Sequence, residues 1–117
     1  MTIQNAIISA AKITTGDHGF LDCWLTLDYG DGIFQGFGGW ALYLPKPSKY
    51  YNIMSLAGHH IFRIMKITGV ENWTNVVGKS IRVRGSGEIL SFKIEAIGHI
   101  INDDWYCPTD DFAKSLK

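Results

Sequence analysis

LTLDYGDGIFQGFGGWALYL, residues 25–44, joins two apolar runs through the turn Gly30–Gly32, which reads Gly-Asp-Gly. Glycine and aspartate readily adopt the positive φ that a tight hairpin needs, so this stretch predicts a β-hairpin. Pro45 and Pro47 follow it, and proline removes a backbone donor from a ladder. We therefore expect the second strand of the hairpin to run from about Ile33 to Leu44.

Glycine recurs inside that second strand, at Gly36, Gly38 and Gly39. Glycine weakens a strand unless something packs close to its backbone, and a bulge, the following helix or a bound ligand would each explain it. Gly38 and Gly39 are therefore candidate ligand-binding residues. The spacing also has the form of a G-x-G-x-x-A dinucleotide fingerprint, but no helix opens after it, which excludes that interpretation.

The remaining elements are predicted by the period of their apolar residues. Alternation of apolar and polar residues predicts a strand, and a period near 3.6 predicts a helix. The predicted strands are Ile3–Thr14, Leu21–Tyr29, Ile81–Arg84 and Ile89–Ile101 with a bulge or bend at Gly98, and the predicted helix runs from Asn52 or Ser55 to Thr68, before Gly69. The order β-β-β-α-β-β predicts an α+β fold, an antiparallel sheet of five to six strands with one main helix packed on it.

Length and composition limit the classes of function. At 117 residues the chain predicts a single domain, and its eleven Lys and Arg balance its eleven Asp and Glu. A neutral chain lacks the general field that drives non-specific nucleic-acid binding. The sequence shows no secretory signal and no bilayer-spanning apolar run, which predicts a cytoplasmic protein without membrane association. Cys23 and Cys107 are then expected to be free thiols.

Asp17 and His18 are the pair that most resembles a catalytic site, because a neighbouring carboxylate can hold an imidazole as a general base. Asp-His-Gly is also an ordinary turn, and no nucleophile motif accompanies it, so no enzyme is predicted. His59 and His60 point about 100° apart on the predicted helix, which argues against a shared metal ion. We predict no catalytic residue, no metal and no cofactor, keep His18 as a candidate binding residue, and expect His60 near the edge of the core.

Arg82 and Arg84 share one face of a predicted strand. Two guanidiniums with this spacing could grip an anion such as phosphate, since each offers a planar fork of donors. The alternative is a solvated face on which Glu88 and Glu95 balance the charge. An aromatic residue exposed beside these arginines would form a contact hot spot or a base-stacking platform, and the candidates are Trp24, Trp40, Trp73, Trp105 and Tyr106.

Three further aromatic residues are candidate contact residues. Trp24 lies on the polar side of its predicted strand, so it is expected either under another element or in a contact surface. Tyr50 and Tyr51 end the proline-containing connector that follows the hairpin. We predict a partner-binding surface that draws on Trp24, Tyr50, Tyr51 and the Arg82/Arg84 face.

Several segments together resemble a family of small proteins encoded in bacteriophages and prophages. The segments are Asp17–Gly19, Leu25–Gly30, Gln35–Gly39, Gly69–Trp73, Gly78–Arg84 and Ala96–Trp105. The resemblance covers the chain from about Ile3 to Phe112 and implies an origin more directly than an activity. Small phage accessory proteins often act against host defences, so the resemblance implies a counter-defence role inside the bacterial host cell.

Three functional hypotheses follow. The first is a non-enzymatic, anti-CRISPR-like inhibitor that binds a host defence protein or complex. The second is a sponge that sequesters a nucleotide signal, in which Gly38 and Gly39 approach the nucleotide and Arg82 or Arg84 grips its phosphate. The third is a small hydrolase that uses Asp17 and His18. Edge strands also make a homodimer possible.

Overall fold

The computed structural model describes residues 2–15, 21–40, 42, 56–88 and 91–115. Within them the predicted α+β fold is confirmed, as a six-stranded antiparallel sheet with one main helix packed on it. The strands are β1 (Thr2–Thr14), β2 (Asp22–Gly30), β3 (Ile33–Phe37), β4 (Ser80–Ser86), β5 (Lys93–Gly98) and β6 (Trp105–Tyr106), and the helices are α1 (Leu56–Thr68) and α2 (Pro108–Ser115). The strand order is β3-β2-β1-β4-β5-β6.

The central strand of the sheet is β1. Its first half pairs with β4, from Thr2 opposite Gly85 to Ile7 opposite Ser80, and its second half pairs with β2. A register shift between Ile8 and Ala10 bends the strand where one pairing gives way to the other.

The predicted hairpin is confirmed, with Asp31 and Gly32 as its two-residue turn. Asp31 has φ 56° and Gly32 has φ 76°, the positive values that a type I′ turn requires at both central positions. The amide of Gly30 donates to Oδ1 of Asp28 over 2.8 Å, which fixes the entry to the turn.

The sheet curls so strongly that its two edge strands meet across the core. The rings of Phe37 on β3 and Tyr106 on β6 lie 6.5 Å apart between centroids, and both residues are fully buried. Farther along the same edge, the Gln35 side-chain amide donates to the carbonyl of Phe92 over 2.7 Å. The concave face therefore encloses the core, and the convex face is turned outward.

Helix α1 buries Leu56, His60, Ile64 and Ile67 against the concave face. It ends at Gly69, as predicted, because that residue has φ 74° and its amide donates to the carbonyl of Met65. His60 was expected near the edge of the core, but its side chain is fully buried. The suggested helix starts at Asn52 and Ser55 lie outside the described residues.

The two long predicted strands are shorter in the structure. Strand β3 ends at Phe37, because Gly39 takes φ 87° and leaves the extended conformation; its predicted end, Leu44, lies outside the described residues. Strand β5 spans Lys93–Gly98 and so ends before the predicted Ile101; the predicted start, Ile89, also lies outside the described residues. The register shift of this hairpin lies between Arg84 and Gly85. Of the bulge or bend predicted at Gly98, the bulge therefore lies elsewhere, and Gly98 is the last residue of β5.

Candidate functional site

The convex face of the sheet, called the outer face below, is the candidate site. Arg82 and Arg84 alternate with the buried Ile81 and Val83, so their side chains project outward. Cross-strand pairing then places further residues on the same face, in rows that cross the strands. These residues are Ile3, Asn5, Ile7, Trp24, Asp28, Phe34 and Trp105.

Large apolar side chains on the outer face are open to solvent. Phe34 is 56% exposed, Ile3 51%, Ile7 48% and Trp24 44%. They belong to three neighbouring strands, β1, β2 and β3, rather than to separate parts of the surface. Exposed apolar side chains grouped on one face are typical of a contact surface.

Trp24 explains the glycines of the hairpin. A Cβ built on Gly36, Gly38 or Gly39 would lie 3.1, 2.6 or 3.2 Å from an atom of the Trp24 indole. The indole therefore lies flat on the backbone of β3 and of the residues after it. The close approach predicted at Gly38 and Gly39 is real, and the group that approaches is a side chain of the same protein.

Trp105 rests on a glycine in the same way. A Cβ on Gly98 would come within 2.5 Å of Cε3 of Trp105, the residue paired with Gly98 on the neighbouring strand. The guanidinium carbons of Arg82 and Arg84 each lie 4.8 Å from the centroid of this ring. The structure thus brings both predicted arginines together on one half-buried tryptophan, an arrangement that favours cation–π attraction.

The two arginines differ in how their donors are used. Nε of Arg82 donates to the carbonyl of His99 over 2.8 Å, and its second terminal nitrogen donates to the carbonyl of Asn102 over 2.9 Å. Arg84 reaches Glu95 only at 3.6 Å, and its buried Nε has no hydrogen-bond partner within the described residues. Arg82 is thus a structural clamp, whereas Arg84 keeps donor capacity.

The loop clamped by Arg82, residues 99–104, is held at several points. Nδ1 of His99 accepts the amides of Ile101 at 3.0 Å and Asn102 at 2.9 Å, so the imidazole carries its proton on Nε2. Asp103 accepts the indole N–H of Trp105 over 2.8 Å. This loop presents Ile101 to solvent, 79% exposed, and places Ile100 at the edge of a groove.

That groove is an open depression of about 460 Å³ on the outer face. Ile7 lies at its centre, with Asp28 on the neighbouring strand to one side and Ser80 to the other. It is lined by Asn5, Ala6, Ile7, Asp28, Tyr29, Gly30, Ser80 and Ile100. Asp28 is the only charged residue in this lining.

A second polar cluster lies inside the core. Nδ1 of His60 is 2.7 Å from the Tyr106 hydroxyl, and the imidazole stacks on Phe37 with 6.0 Å between ring centroids. Burial, and to a smaller extent the neighbouring His59, lower the pKa of His60 to about 4. Burial also raises the pKa of Tyr106. Both groups are sealed from solvent, so this cluster contributes to stability rather than to a surface site.

Several sequence-based candidates cannot be placed on this surface. His18, Asp17, Tyr50 and Tyr51 all lie outside the described residues. Cys23 and Cys107 are free thiols, and burial raises the pKa of Cys23 to about 11. Where the chain is described, no cluster of three His, Cys, Asp or Glu residues is arranged to hold a metal ion. None of the helices described is both long and apolar enough to cross a bilayer.

The groove and the exposed residues of β1 were not predicted from the sequence. Ile3, Asn5 and Ile7 alternate with the buried Ala6 and Ile8, which was the available signal. That signal was masked because the whole run is apolar, so its two faces look alike in sequence.

By fold and site, the described chain is a curled antiparallel sheet that keeps its core on one face and a mixed apolar and cationic surface on the other. No family model matches the chain, and neither a curated protein nor a solved structure does.

Proposed function

We propose that this chain is a non-enzymatic binding protein whose outer face docks on a protein partner. The observation that supports the proposal is the exposure of Ile3, Ile7, Trp24 and Phe34 together on one face of the sheet. Interfaces are enriched in tryptophan and arginine, and a fixed aromatic ring loses little entropy on binding. Trp24, held flat by glycines, meets that description.

The identity of the partner is proposed from the sequence resemblance. The resemblance to small phage and prophage proteins suggests a host defence protein or complex, met in the cytoplasm of the bacterial host and inhibited in an anti-CRISPR-like manner. The outer face agrees with such a role because it offers a surface for contact rather than an enclosed active site. Inhibition would then follow from occupancy of the partner's working surface.

A matched pair of variants tests the proposal. Ile7→Glu places a charge at the centre of the outer face, whereas Phe62→Glu makes the same kind of change on α1, where Phe62 is 62% exposed. Each variant is used as bait in a lysate of the bacterial host, and the captured protein is quantified by mass spectrometry. We expect Ile7→Glu to weaken capture about tenfold or more and Phe62→Glu to leave it unchanged.

Thermal unfolding of both variants serves as the control for folding. Equal capture by Ile7→Glu and the unmodified protein, with both folded, would contradict the proposal. Loss of capture by Phe62→Glu alone would move the contact surface to α1.

The nucleotide sponge is the alternative, and Arg84 favours it because its terminal nitrogen reaches Glu95 only at 3.6 Å. Two observations argue against the sponge. Trp24 covers the backbone of Gly38 and Gly39, and two donor groups of Arg82 are already hydrogen-bonded to carbonyls. A thermal-shift assay with cyclic nucleotides decides the matter, because a ligand that binds only the native state must raise Tm. An unchanged Tm at millimolar nucleotide would remove the alternative.

A further inference from the structure

The groove around Ile7 has a chemistry of its own. Its volume of about 460 Å³ is within the range of about 300–1,000 Å³ that ligand pockets occupy. Ile7 and Ile100 supply apolar walls, and Asn5, Asp28 and Ser80 supply polar groups. This combination suits a ligand that has an aliphatic stem and a polar head.

The charge of the groove determines whether the polar head of the ligand should be positive or negative. Asp28 is the only charged lining residue, and no ion pair joins it to another described residue. Its Oδ1 accepts the amide of Gly30 over 2.8 Å, which orients the carboxylate and leaves Oδ2 to accept from a ligand. A phosphate or carboxylate would be repelled by Asp28, whereas a cation would be attracted.

Neighbouring cations do not occupy the place of such a ligand. Arg82 lies across from Asn5 in the sheet, but its guanidinium is drawn to the carbonyls of loop 99–104 and to Trp105, and it does not line the groove. The same contacts hold Ile100 in position, because Arg82 binds the carbonyls of His99 and Asn102, which flank Ile100 and Ile101. The groove is therefore a formed site with one unneutralised carboxylate.

We propose that this groove binds an arginine side chain of the partner protein, with the aliphatic stem on Ile7 and Ile100 and the guanidinium on the Asp28 carboxylate. The oxygens of Asn5 and Ser80 offer two further acceptors, and a guanidinium, with five donors, uses such a set better than an ammonium does. The inference rests on the proposed binding role of the outer face and adds the chemistry of its central contact.

The test needs no partner, because a small guanidinium compound serves as the probe. Agmatine, which carries a guanidinium at one end of a four-carbon stem and an ammonium at the other, is titrated into ¹⁵N-labelled protein and the amide resonances are followed. 4-Aminobutylurea, which keeps the stem and the ammonium but has a neutral urea in place of the guanidinium, is titrated in parallel. We expect agmatine to shift the amides of Ile7, Gly30, Ser80 and Ile100, and 4-aminobutylurea to shift them far less.

Two variants locate the charge responsible. Asp28→Asn keeps an oxygen for the Gly30 amide but removes the charge, so we expect agmatine affinity to fall at least about threefold. Asp31→Asn removes the same charge from the turn outside the groove, and asparagine tolerates its φ of 56°. We expect this control to bind agmatine as the unmodified protein does.

Three results would each overturn the inference: equal shifts from 4-aminobutylurea, unchanged agmatine affinity in Asp28→Asn, or agmatine shifts confined to another part of the surface. These results are independent of the lysate experiment. A groove that binds agmatine while Ile7→Glu still captures the partner would refute the proposed docking face and not the groove. Partner capture that depends on Ile7, without agmatine binding, would refute the groove and not the face.

Discussion

Acidification should destabilise this protein well before its carboxylates titrate, because of His60. The imidazole is fully buried, and its Nε2 has no partner within the described residues. Protonation would place hydrogens on both ring nitrogens and a charge among Phe37, Trp40 and Phe112. The charged form is therefore disfavoured in the folded state and favoured in the unfolded state.

The direction and size of the effect follow from the two pKa values of His60. Its pKa is about 4 in the folded protein and 6.5 when unperturbed, so the unfolded chain binds more protons between these values. Stability is fully present above the unfolded pKa and declines as the pH falls below it. The free energy of unfolding should drop by about 2 kcal/mol between about pH 7 and about pH 5, and by about 3 kcal/mol at about pH 4.

This pH range separates the effect of His60 on stability from that of the carboxylates. Asp104, for example, accepts a hydrogen bond from Arg63 over 2.8 Å, which holds the pKa of Asp104 below its ordinary value of 3.8. The stability that Asp104 contributes is lost only as the pH falls below that value. Measurements at about pH 5 and above therefore report on histidine.

The assay is urea unfolding at several pH values, followed by tryptophan fluorescence. His60→Leu should be less stable at neutral pH by about 1–2 kcal/mol, since the buried Tyr106 hydroxyl loses its partner, and it should lose most of the decline toward pH 5. His59→Gln, which changes a 40% exposed side chain paired with Asp111, should keep the decline. Parallel slopes for His60→Leu and the unmodified protein would refute the reasoning.

The glycines under the two tryptophans give further predictions, each measurable by urea unfolding. Gly98→Ala should lower the free energy of unfolding by about 2 kcal/mol, because the new Cβ would lie 2.5 Å from the Trp105 ring. In a Trp105→Ala background the same substitution should lower it much less. If the two substitutions have additive effects, the ring is not the obstacle. Gly38→Ala should also cost about 2 kcal/mol, since its Cβ would meet a backbone carbonyl and the Trp24 indole at 2.6 Å. Gly36→Ala should cost less, because only the ring edge, at 3.1 Å, has to move, and a reversed order would contradict this account.

The local parts of the fold were predictable because local residues determine them. The turn at Asp31 and Gly32 needs positive φ, and the end of α1 needs Gly69. Each feature can therefore be predicted from the residues that form it. Alternation along β2 likewise separates Trp24 from the buried Cys23 and Leu25. The strand ends were less predictable, since apolar residues continue past Phe37 and the backbone alone changes direction there.

The site was not predictable in the same way because it depends on the curl of the sheet and on contacts between distant segments. The glycines at positions 36, 38 and 39 indicate that some group packs close to the backbone, but the sequence does not identify that group. From the sequence alone, Arg82 was likewise interpreted as a residue that could bind an anion. In the folded chain the loop 99–104 lies beside it, and two carbonyls of that loop accept its hydrogen bonds.

Both tryptophans of the outer face, Trp24 and Trp105, lie against glycine backbone, and this packing affects how much entropy the indole would lose on binding. An indole that lies on glycine has its rotation restricted before any partner arrives, so little further side-chain entropy is lost on docking. Trp24 retains 44% exposure in that state, whereas Trp105 is half-buried with Arg82 and Arg84 on its ring. In the proposed docking, Trp24 is therefore the indole available to a partner, whereas Trp105 packs against the arginines of the same surface.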